Sequence, residues 1–133
     1  MIAILTDKPS VGKKSEESWC NQSKKRNMWK ETATMVTWTF GNMLSLAMPK
    51  DYGTQKLERN DFPFIPSEFE LMVRHTRTEN GWIPDIDAVL QLKVIERVFQ
   101  ACDTIIAATD ASRDGEMTFR YVYQYLNCTL PCF

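Results

Sequence analysis

The sequence has no long apolar run. Residues 1–5 (MIAIL) are apolar, but Thr6, Asp7 and Lys8 end that run far short of a signal-peptide core or a membrane span. We therefore expect a protein without membrane contact, located in the cytoplasm.

Paired cysteines and histidines at the spacing of a zinc site are also absent. The four cysteines, Cys20, Cys102, Cys128 and Cys132, form no CxxC pair, and His75 is the only histidine. Reduced thiols are the expectation, and a disulfide or metal site stays open only for Cys128 and Cys132. His75 lies among Arg and Thr residues and is predicted to be on the surface.

Neither sign of charge is in excess. The chain has 16 Lys and Arg against 17 Asp and Glu, a formal net charge of −1. This balance gives no overall attraction for nucleic acid, so such binding would need a local basic patch. A chain of 133 residues that is 44% hydrophobic and 25% charged predicts one globular domain, residues 1–133, with a buried core.

The most informative stretch is residues 104–126 (TIIAATDASRDGEMTFRYVYQYL). Residues 104–108 are apolar without polar alternation, which is typical of a parallel strand covered on both faces. An apolar stripe at helical spacing occupies residues 119–126. Between strand and helix lie three acids: Asp110, Asp114 and Glu116. Ligands of open α/β sheets bind beyond the carboxyl ends of the strands, so these acids form a candidate site.

Two interpretations of the acid cluster are open. Neighbouring carboxylates repel one another, and a cation or basic group between them relieves the repulsion. Mg²⁺ is held by one or two carboxylates with waters and phosphate oxygens, which suits phosphoryl transfer on a nucleic acid or nucleotide. The alternative is a solvated loop in which Asp114 and Glu116 favour a helix N-terminus.

A second buried strand, residues 1–6 (MIAILT), also ends on an acid, Asp7. If this strand neighbours residues 104–108 in a parallel sheet, Asp7 and Asp110 meet at one edge. Lys8 would then be placed to hold a phosphate as a point charge, and Ser10 could cap a following helix.

The rest of the chain completes an α/β pattern with a mainly parallel sheet. Residues 34–40 favour a strand, residues 44–48 a short apolar turn, and the proline-containing residues 62–73 an edge or extended segment. After a turn at Asn80 and Gly81, a helix capped by Asp85 or Asp87 is predicted, with its core positions at Leu92, Ile95, Val98 and Phe99.

Residues 11–31 are polar and basic, with poor helical periodicity. They are interpreted either as a solvated helix or mobile loop, or as a basic patch in which interleaved tryptophans stack bases and lysines contact phosphates.

Three segments carry a family resemblance. ILTDKPSVG resembles the EKPS start of type IA DNA topoisomerases, VTWTFGNMLSLAMPKDYG resembles their VTWAFGH-LxxLAxPxxY segment, and ATDASRDGEMTFRYVYQYL resembles the ATDxxREGE signature with its following helix. The resemblance spans nearly the whole chain. It implies a Toprim domain most like that of bacterial DNA topoisomerase III, with a Rossmann-like α/β fold and a mainly parallel sheet of about four strands flanked by helices.

The resemblance also implies roles for individual residues. Asp7 stands where the family has a glutamate proposed to move a proton to or from the sugar oxygen during strand cleavage, and Lys8 matches a lysine that contacts the scissile phosphate. Asp110 and Asp114, joined by Asp7, match the acids of a magnesium site. Arg113 matches the basic residue between them, with Glu116 and Ser112 in support. The residues expected to contact DNA are Lys8, Ser10, Lys13 and Arg113.

Several positions depart from the family pattern. Asp7 is one methylene shorter than glutamate, Ser112 replaces an aspartate in many members, and Asp114 replaces a glutamate. A neutral hydroxyl is a poorer Mg²⁺ ligand than a carboxylate, so we expect weak metal binding that improves when a DNA phosphate completes the shell. The family's tyrosine nucleophile lies in another domain, and none of the tyrosines here matches it: Tyr52, Tyr121, Tyr123 and Tyr125. The isolated chain is therefore expected to be inactive.

The expected function is to contribute Mg²⁺ binding and acid–base residues to single-strand DNA cleavage and rejoining, in relaxation or decatenation by a full-length enzyme. Single-stranded DNA and the remaining domains of that enzyme are the expected partners, at the nucleoid or a plasmid. One alternative is a Toprim domain of the primase or nuclease type. Another is a degenerate module that keeps only DNA or protein contact.

Overall fold

The computed structural model describes residues 1–12, 24–25, 28–30, 34–53, 56, 58–79 and 81–133, and gives only the backbone for 24–25 and 28–30. The strands of these residues are β1 (Ile2–Thr6), β2 (Lys24–Lys25), β3 (Met28–Lys30), β4 (Thr34–Trp38), β5 (Leu44–Leu46), β6 (Leu71–Val73), β7 (His75–Thr78), β8 (Gly81–Pro84) and β9 (Thr104–Ala108). The helices of at least eight residues are α1 (Ile86–Gln100) and α2 (Arg113–Tyr125), and short 3-10 helices lie at Pro49–Tyr52 and Arg59–Asp61. Residues 9–12 are also helical.

The main sheet has the strand order β2-β3-β4-β1-β9. Strand β1 is central and parallel to both neighbours, with Thr6 in register with Trp38 of β4 and Ala108 of β9. Strands β3 and β2 extend the sheet in antiparallel fashion beyond β4. Because β1, β4 and β9 run the same way, their carboxyl ends share one edge of the sheet.

The core lies between one face of this sheet and the two helices. Ala3, Leu5 and Ile105 point to that face and are fully buried. Helix α1 packs there through Leu92, Ile95, Val98 and Phe99, and α2 through Phe119 and Val122. Each such side chain adds about 1.5–3 kcal/mol by leaving water. The opposite face carries a smaller cluster around Val36 and Trp38.

The strands between β4 and α1 form two small sheets outside the main one. Strand β5 pairs with β6, and β7 pairs with β8 across the turn that ends at Gly81, whose φ is 115°. His75 is exposed at the start of β7, as predicted. Asp85 caps α1 by accepting hydrogen bonds from the backbone N–H groups of Asp87 and Ala88, which confirms the predicted helix start.

Three predictions about local structure were wrong. Residues 44–46 form strand β5 rather than a turn. The segment 11–31 contains strands β2 and β3 among its described residues, so the interpretation as a solvated helix or mobile loop was wrong there, while the basic-patch interpretation stays a prediction. Ser10 does not cap a helix, because the helical turn begins at Pro9, and the Lys8 carbonyl accepts from the N–H groups of Val11 and Gly12. Proline is favoured at a first helical position since its missing N–H has no role there.

Within the described ranges, no helix is both long enough and apolar enough to cross a membrane.

Candidate functional site

The carboxyl edge of the main sheet brings two acids and a lysine together. Asp7 is the first residue after β1, and Asp110 is the second residue after β9. The Nζ atom of Lys8 lies 3.3 Å from Oδ2 of Asp7 and 3.4 Å from Oδ2 of Asp110. The prediction that the two acids meet at one edge beside Lys8 is therefore confirmed.

Lys8 is the cation that offsets the repulsion between these carboxylates. Its hydrogen bonds to Asp7 and then to Asp110, with the Coulomb attraction of both, raise the pKa of the Lys8 ammonium. The lysine thus keeps its charge through the neutral range. More than half of the Lys8 and Asp110 side-chain surface is exposed, so a ligand from solvent can reach both.

Asp7 is the buried member of the group, with 8% of its surface exposed. Its Oδ1 atom is buried and has no hydrogen-bond partner among the described residues. A buried carboxylate oxygen without a partner is costly, by about 1–3 kcal/mol or more for a charged group. Asp7 therefore has an unused acceptor next to a solvent-accessible cation.

Two buried threonines hold the backbone that carries Asp7 and Lys8. The Thr39 hydroxyl donates to the Asp7 carbonyl at 3.2 Å, and the Thr39 N–H donates to the Thr6 carbonyl at 2.8 Å. The Thr6 hydroxyl donates to the Lys8 carbonyl at 3.1 Å. These bonds tie the end of β1 to the end of β4, so the position of Asp7 depends on both strands.

The turn between β9 and α2 is held by Ser112 and Gly115. The Ser112 side chain caps α2 by accepting from the Gly115 N–H at 3.2 Å, and the Ser112 N–H donates to the Asp110 carbonyl at 2.7 Å. A Cβ atom on Gly115 would lie 2.1 Å from that same carbonyl oxygen. Only glycine lets the helix begin so close to Asp110.

The other charged residues of this turn lie on the first turns of α2. Asp114 and Glu116 are exposed near its N-terminus, the arrangement that the helix-terminus interpretation predicted. Oε1 of Glu116 accepts from Nε of Arg120 at 2.7 Å, so Glu116 is engaged along the helix. Arg113 is exposed and makes no ion pair with any residue that the structure describes.

Two residues expected to contact DNA lie on or beyond the helical turn after Lys8. Ser10 is exposed within the helical residues 9–12, two residues after Lys8. Lys13 falls outside the described residues.

The donor set suits a cation that takes few ligands from protein. No group of three or more Asp, Glu, His or Cys side chains in the described part of the chain is arranged to hold a metal ion. Asp7 and Asp110 nevertheless supply carboxylates from two strands to one small region, and Asp7 has a free buried oxygen. Mg²⁺ fits such a place, because it often takes only one or two carboxylates and completes its shell with water and phosphate oxygens.

Sequence reasoning did not identify the polar residues that support the site. Gln91 on α1 is fully buried, and its Nε2 donates to the Trp38 carbonyl at the end of β4 at 2.7 Å. The Thr118 hydroxyl on α2 donates to Oδ1 of Asn42 at 2.9 Å. The only signal was a glutamine on the apolar face of α1, at the spacing of Leu92 and Ile95.

Comparison with known proteins gives a family match over almost the whole chain. A model described as "Toprim domain" matches residues 3–132. Proteins named DNA topoisomerase 3 are similar as well. Those of Bacillus licheniformis and Bacillus subtilis are each 28% identical over 130 residues, and that of Staphylococcus haemolyticus is 31% identical over 132 residues. Each alignment covers 96% of this chain but 17% of the relative, so the chain spans about a sixth of their length.

Proposed function

The chain belongs to the Toprim domain family, and on that basis we propose that it supplies the metal-binding and proton-handling part of a type IA DNA topoisomerase. The observation that carries the proposal is the meeting of Asp7, Lys8 and Asp110 at one sheet edge, with Lys8 within 3.4 Å of both carboxylates. Similarity to proteins named DNA topoisomerase 3 favours this type of Toprim domain over the primase or nuclease type.

Toprim domains generally bind a divalent metal ion, and we take Mg²⁺ as the ion here. Asp110 and Asp7 would hold it, with Asp114 as a further ligand, and the bound ion would orient DNA phosphate oxygens and offset their charge. The two carboxylates alone make a weak site. Phosphate oxygens of a bound strand would complete the shell, so metal and DNA should strengthen each other's binding.

Phosphate contact and proton transfer would then be provided by side chains of this chain. Lys8 is a flexible point charge that can turn from the two carboxylates to a phosphate. Asp7, held by Thr39 beside Lys8, would take or give the proton on the sugar oxygen as a strand is cut and rejoined. Arg113, exposed at the start of α2, would steady the phosphate next to the cut, while Ser112 and Glu116 support the turn.

The nucleophile for cleavage is expected outside this chain, so relaxation or decatenation of DNA is proposed only for a full-length enzyme. Single-stranded DNA and the other domains of that enzyme are the proposed partners, in the cytoplasm with nucleoid or plasmid DNA. The second candidate is a degenerate module that keeps only DNA or protein contact. It is favoured by the absence of a three-ligand metal group among the described residues.

A Mg²⁺ titration followed by backbone amide NMR separates the two candidates. The chain is titrated with Mg²⁺, with Ca²⁺ as a size control, and then again in the presence of a short DNA single strand. We expect saturable shifts near residues 7–8 and 110–116, at lower Mg²⁺ concentration when DNA is present.

Two variants make the test specific. Asp110→Asn should lose the shifts, because one carboxylate of the pair is gone. Glu68→Gln removes an exposed carboxylate elsewhere and should keep them. If neither Mg²⁺ alone nor Mg²⁺ with DNA moves these amides, the metal-binding proposal fails and the degenerate module is favoured.

A further inference from the structure

A groove runs along the outer face of α1, away from the acids. It has a volume of about 640 Å³, and it is bordered by Phe40, which follows β4, and by residues of α1. We call it the α1 groove. None of the residues assigned above to metal, proton or phosphate chemistry lines it.

Part of the wall of the α1 groove is apolar. Phe40 is partly buried against the core, so its ring is held in place while part of its surface stays accessible. Leu90, with 52% of its surface exposed, and Val94 continue this wall along α1. A fixed aromatic ring beside exposed aliphatic groups is a suitable surface for a flat, apolar-faced group such as a nucleobase.

The rim of the α1 groove is basic. Lys93 and Arg97 are both exposed and stand four residues apart on α1, so their side chains lie on the same side of the helix. Neither makes an ion pair with a described residue. The one acid of the lining is Asp87. Two uncommitted cations against one carboxylate favour an anionic occupant.

Arg74 gives one end of the α1 groove a rigid structure. Its Nε donates to Oδ2 of Asp85 at 2.7 Å, and its Nη1 lies 3.4 Å from the Phe40 carbonyl oxygen. The guanidinium thus fixes the backbone under the aromatic ring. Since Asp85 offsets its charge, Arg74 contributes shape to the groove rather than net attraction.

The chain that follows β4 connects Phe40 of the α1 groove to the backbone of the candidate site. Thr39, whose hydroxyl holds the Asp7 carbonyl, directly precedes Phe40. Phe40 is therefore one residue along the chain from the side chain that holds the backbone of Asp7.

We propose that the α1 groove binds a segment of single-stranded nucleic acid, with a base against Phe40 and phosphates at Lys93 and Arg97. The groove would hold the part of the strand next to the segment at the acids, and this inference rests on the proposed function. The apolar wall and basic rim fit a strand, whereas an acidic protein segment would use the rim alone.

The test uses the unmodified chain and a thymidylate hexanucleotide, with binding measured by amide NMR at several salt concentrations. We expect shifts at residue 40 and at residues 90–97. Lys93→Gln combined with Arg97→Gln should raise the Kd at least about fivefold. The slope of log Kd against log salt concentration should fall by about 1.4, because each phosphate contact to a single strand contributes about 0.7 to that slope. The control, Lys56→Gln with Arg59→Gln, removes the same two charge types from exposed positions elsewhere and should change the Kd less than about twofold.

Phe40 is tested by a change that keeps most of its packing. The Kd of the unmodified chain should be about fivefold lower for the thymidylate strand than for an abasic strand with the same number of phosphates. This ratio corresponds to about 1 kcal/mol, the lower end of the stacking energy per base. Phe40→Leu should lose that preference while its unfolding transition shows that it remains folded.

Three results would overturn the inference: no binding of the strand, equal binding by the groove and control variants, or competition by polyglutamate as effective as by the strand. The last would assign the α1 groove to an acidic protein segment instead. The metal-binding proposal is tested separately, by the amide shifts that Mg²⁺ causes at residues 110–116. Intact Mg²⁺ shifts without groove binding would overturn only the inference, and groove binding without Mg²⁺ shifts would overturn only the metal-binding proposal.

Discussion

Replacing Gly115 by alanine tests the close approach between α2 and the end of β9. Two effects oppose each other. Alanine has the higher helix propensity, which alone would stabilise the fold by about 1 kcal/mol. The new Cβ, however, would lie 2.1 Å from the Asp110 carbonyl oxygen, 2.9 Å from its carbon and 3.0 Å from its nitrogen. These are backbone atoms, so no side chain can swing aside.

We expect the clash of the new Cβ with the Asp110 backbone to outweigh the gain in helix propensity. A carbon normally stays about 3.3 Å or more from a carbonyl oxygen, so Asp110 or the start of α2 has to move by about 1 Å. Overpacking of this kind costs about 3 kcal/mol at the upper end of the usual range, which leaves a net loss of about 2 kcal/mol. For a domain of this size that lowers Tm by about 7 °C.

Thermal unfolding of Gly115→Ala measures this loss, and amide shifts at Lys8 report whether Asp110 has moved away from it. Gly41→Ala is the matched control. Gly41 has a φ of 66°, but a Cβ there would meet no heavy atom within 4 Å, so alanine adds only left-handed backbone strain of about 1 kcal/mol. The Gly41 variant should leave the Lys8 amide in place. A Gly115→Ala variant at least as stable as the parent chain would refute the reasoning, since propensity would then have decided the outcome.

Two further predictions concern α1. The Arg74 guanidinium bonded to Asp85 holds the pKa of that carboxyl below its ordinary value. The stabilisation that the ionised Asp85 gives to the fold is therefore full above about pH 4, and it is lost as the pH falls through the pKa of Asp85 in the folded state. Asp85→Asn keeps a good helix cap but should be less stable by about 1 kcal/mol at pH 7, given Arg74's partial exposure. Urea unfolding should show this deficit narrowing towards pH 3, and a constant deficit would contradict the ion-pair assignment. Gln91→Leu fills the same space but loses the bond to the Trp38 carbonyl, so it should cost about 1 kcal/mol, against about 2–4 kcal/mol for Gln91→Ala, which also leaves a cavity. A Gln91→Leu variant as stable in urea as the parent chain would mean that packing, not the hydrogen bond, is what Gln91 provides, whereas equal losses for the two variants would mean the reverse.

The elements that position the site could be predicted because buried parallel strands leave a clear pattern. Residues 2–6 and 104–108 are apolar runs that end near an acid, and parallel strands share their carboxyl edge. That argument alone predicted the meeting of Asp7 and Asp110. Asp85 likewise had the residue type and position of a helix cap.

The rest of the fold could not be predicted because its signals are short or depend on tertiary structure. Strands β3 and β5 have three residues each, too few for a hydrophobic period to appear. Thr39 and Gln91 are fully buried polar residues, whereas residue type alone favours the surface for them. Their burial makes sense only once the ends of β1 and β4 and the face of α1 are in contact.

The placement of β1 between β4 and β9 has a consequence for the timing of synthesis. Lys8 and Asp110 are 102 residues apart in the chain, so a ribosome that adds about 5–20 residues per second makes the two roughly 5–20 s apart. During that interval β1 can pair with β4, but its other edge has no strand beside it. The nascent chain therefore passes through a stage with an open sheet edge, and the paired acids first exist when β9 closes that edge.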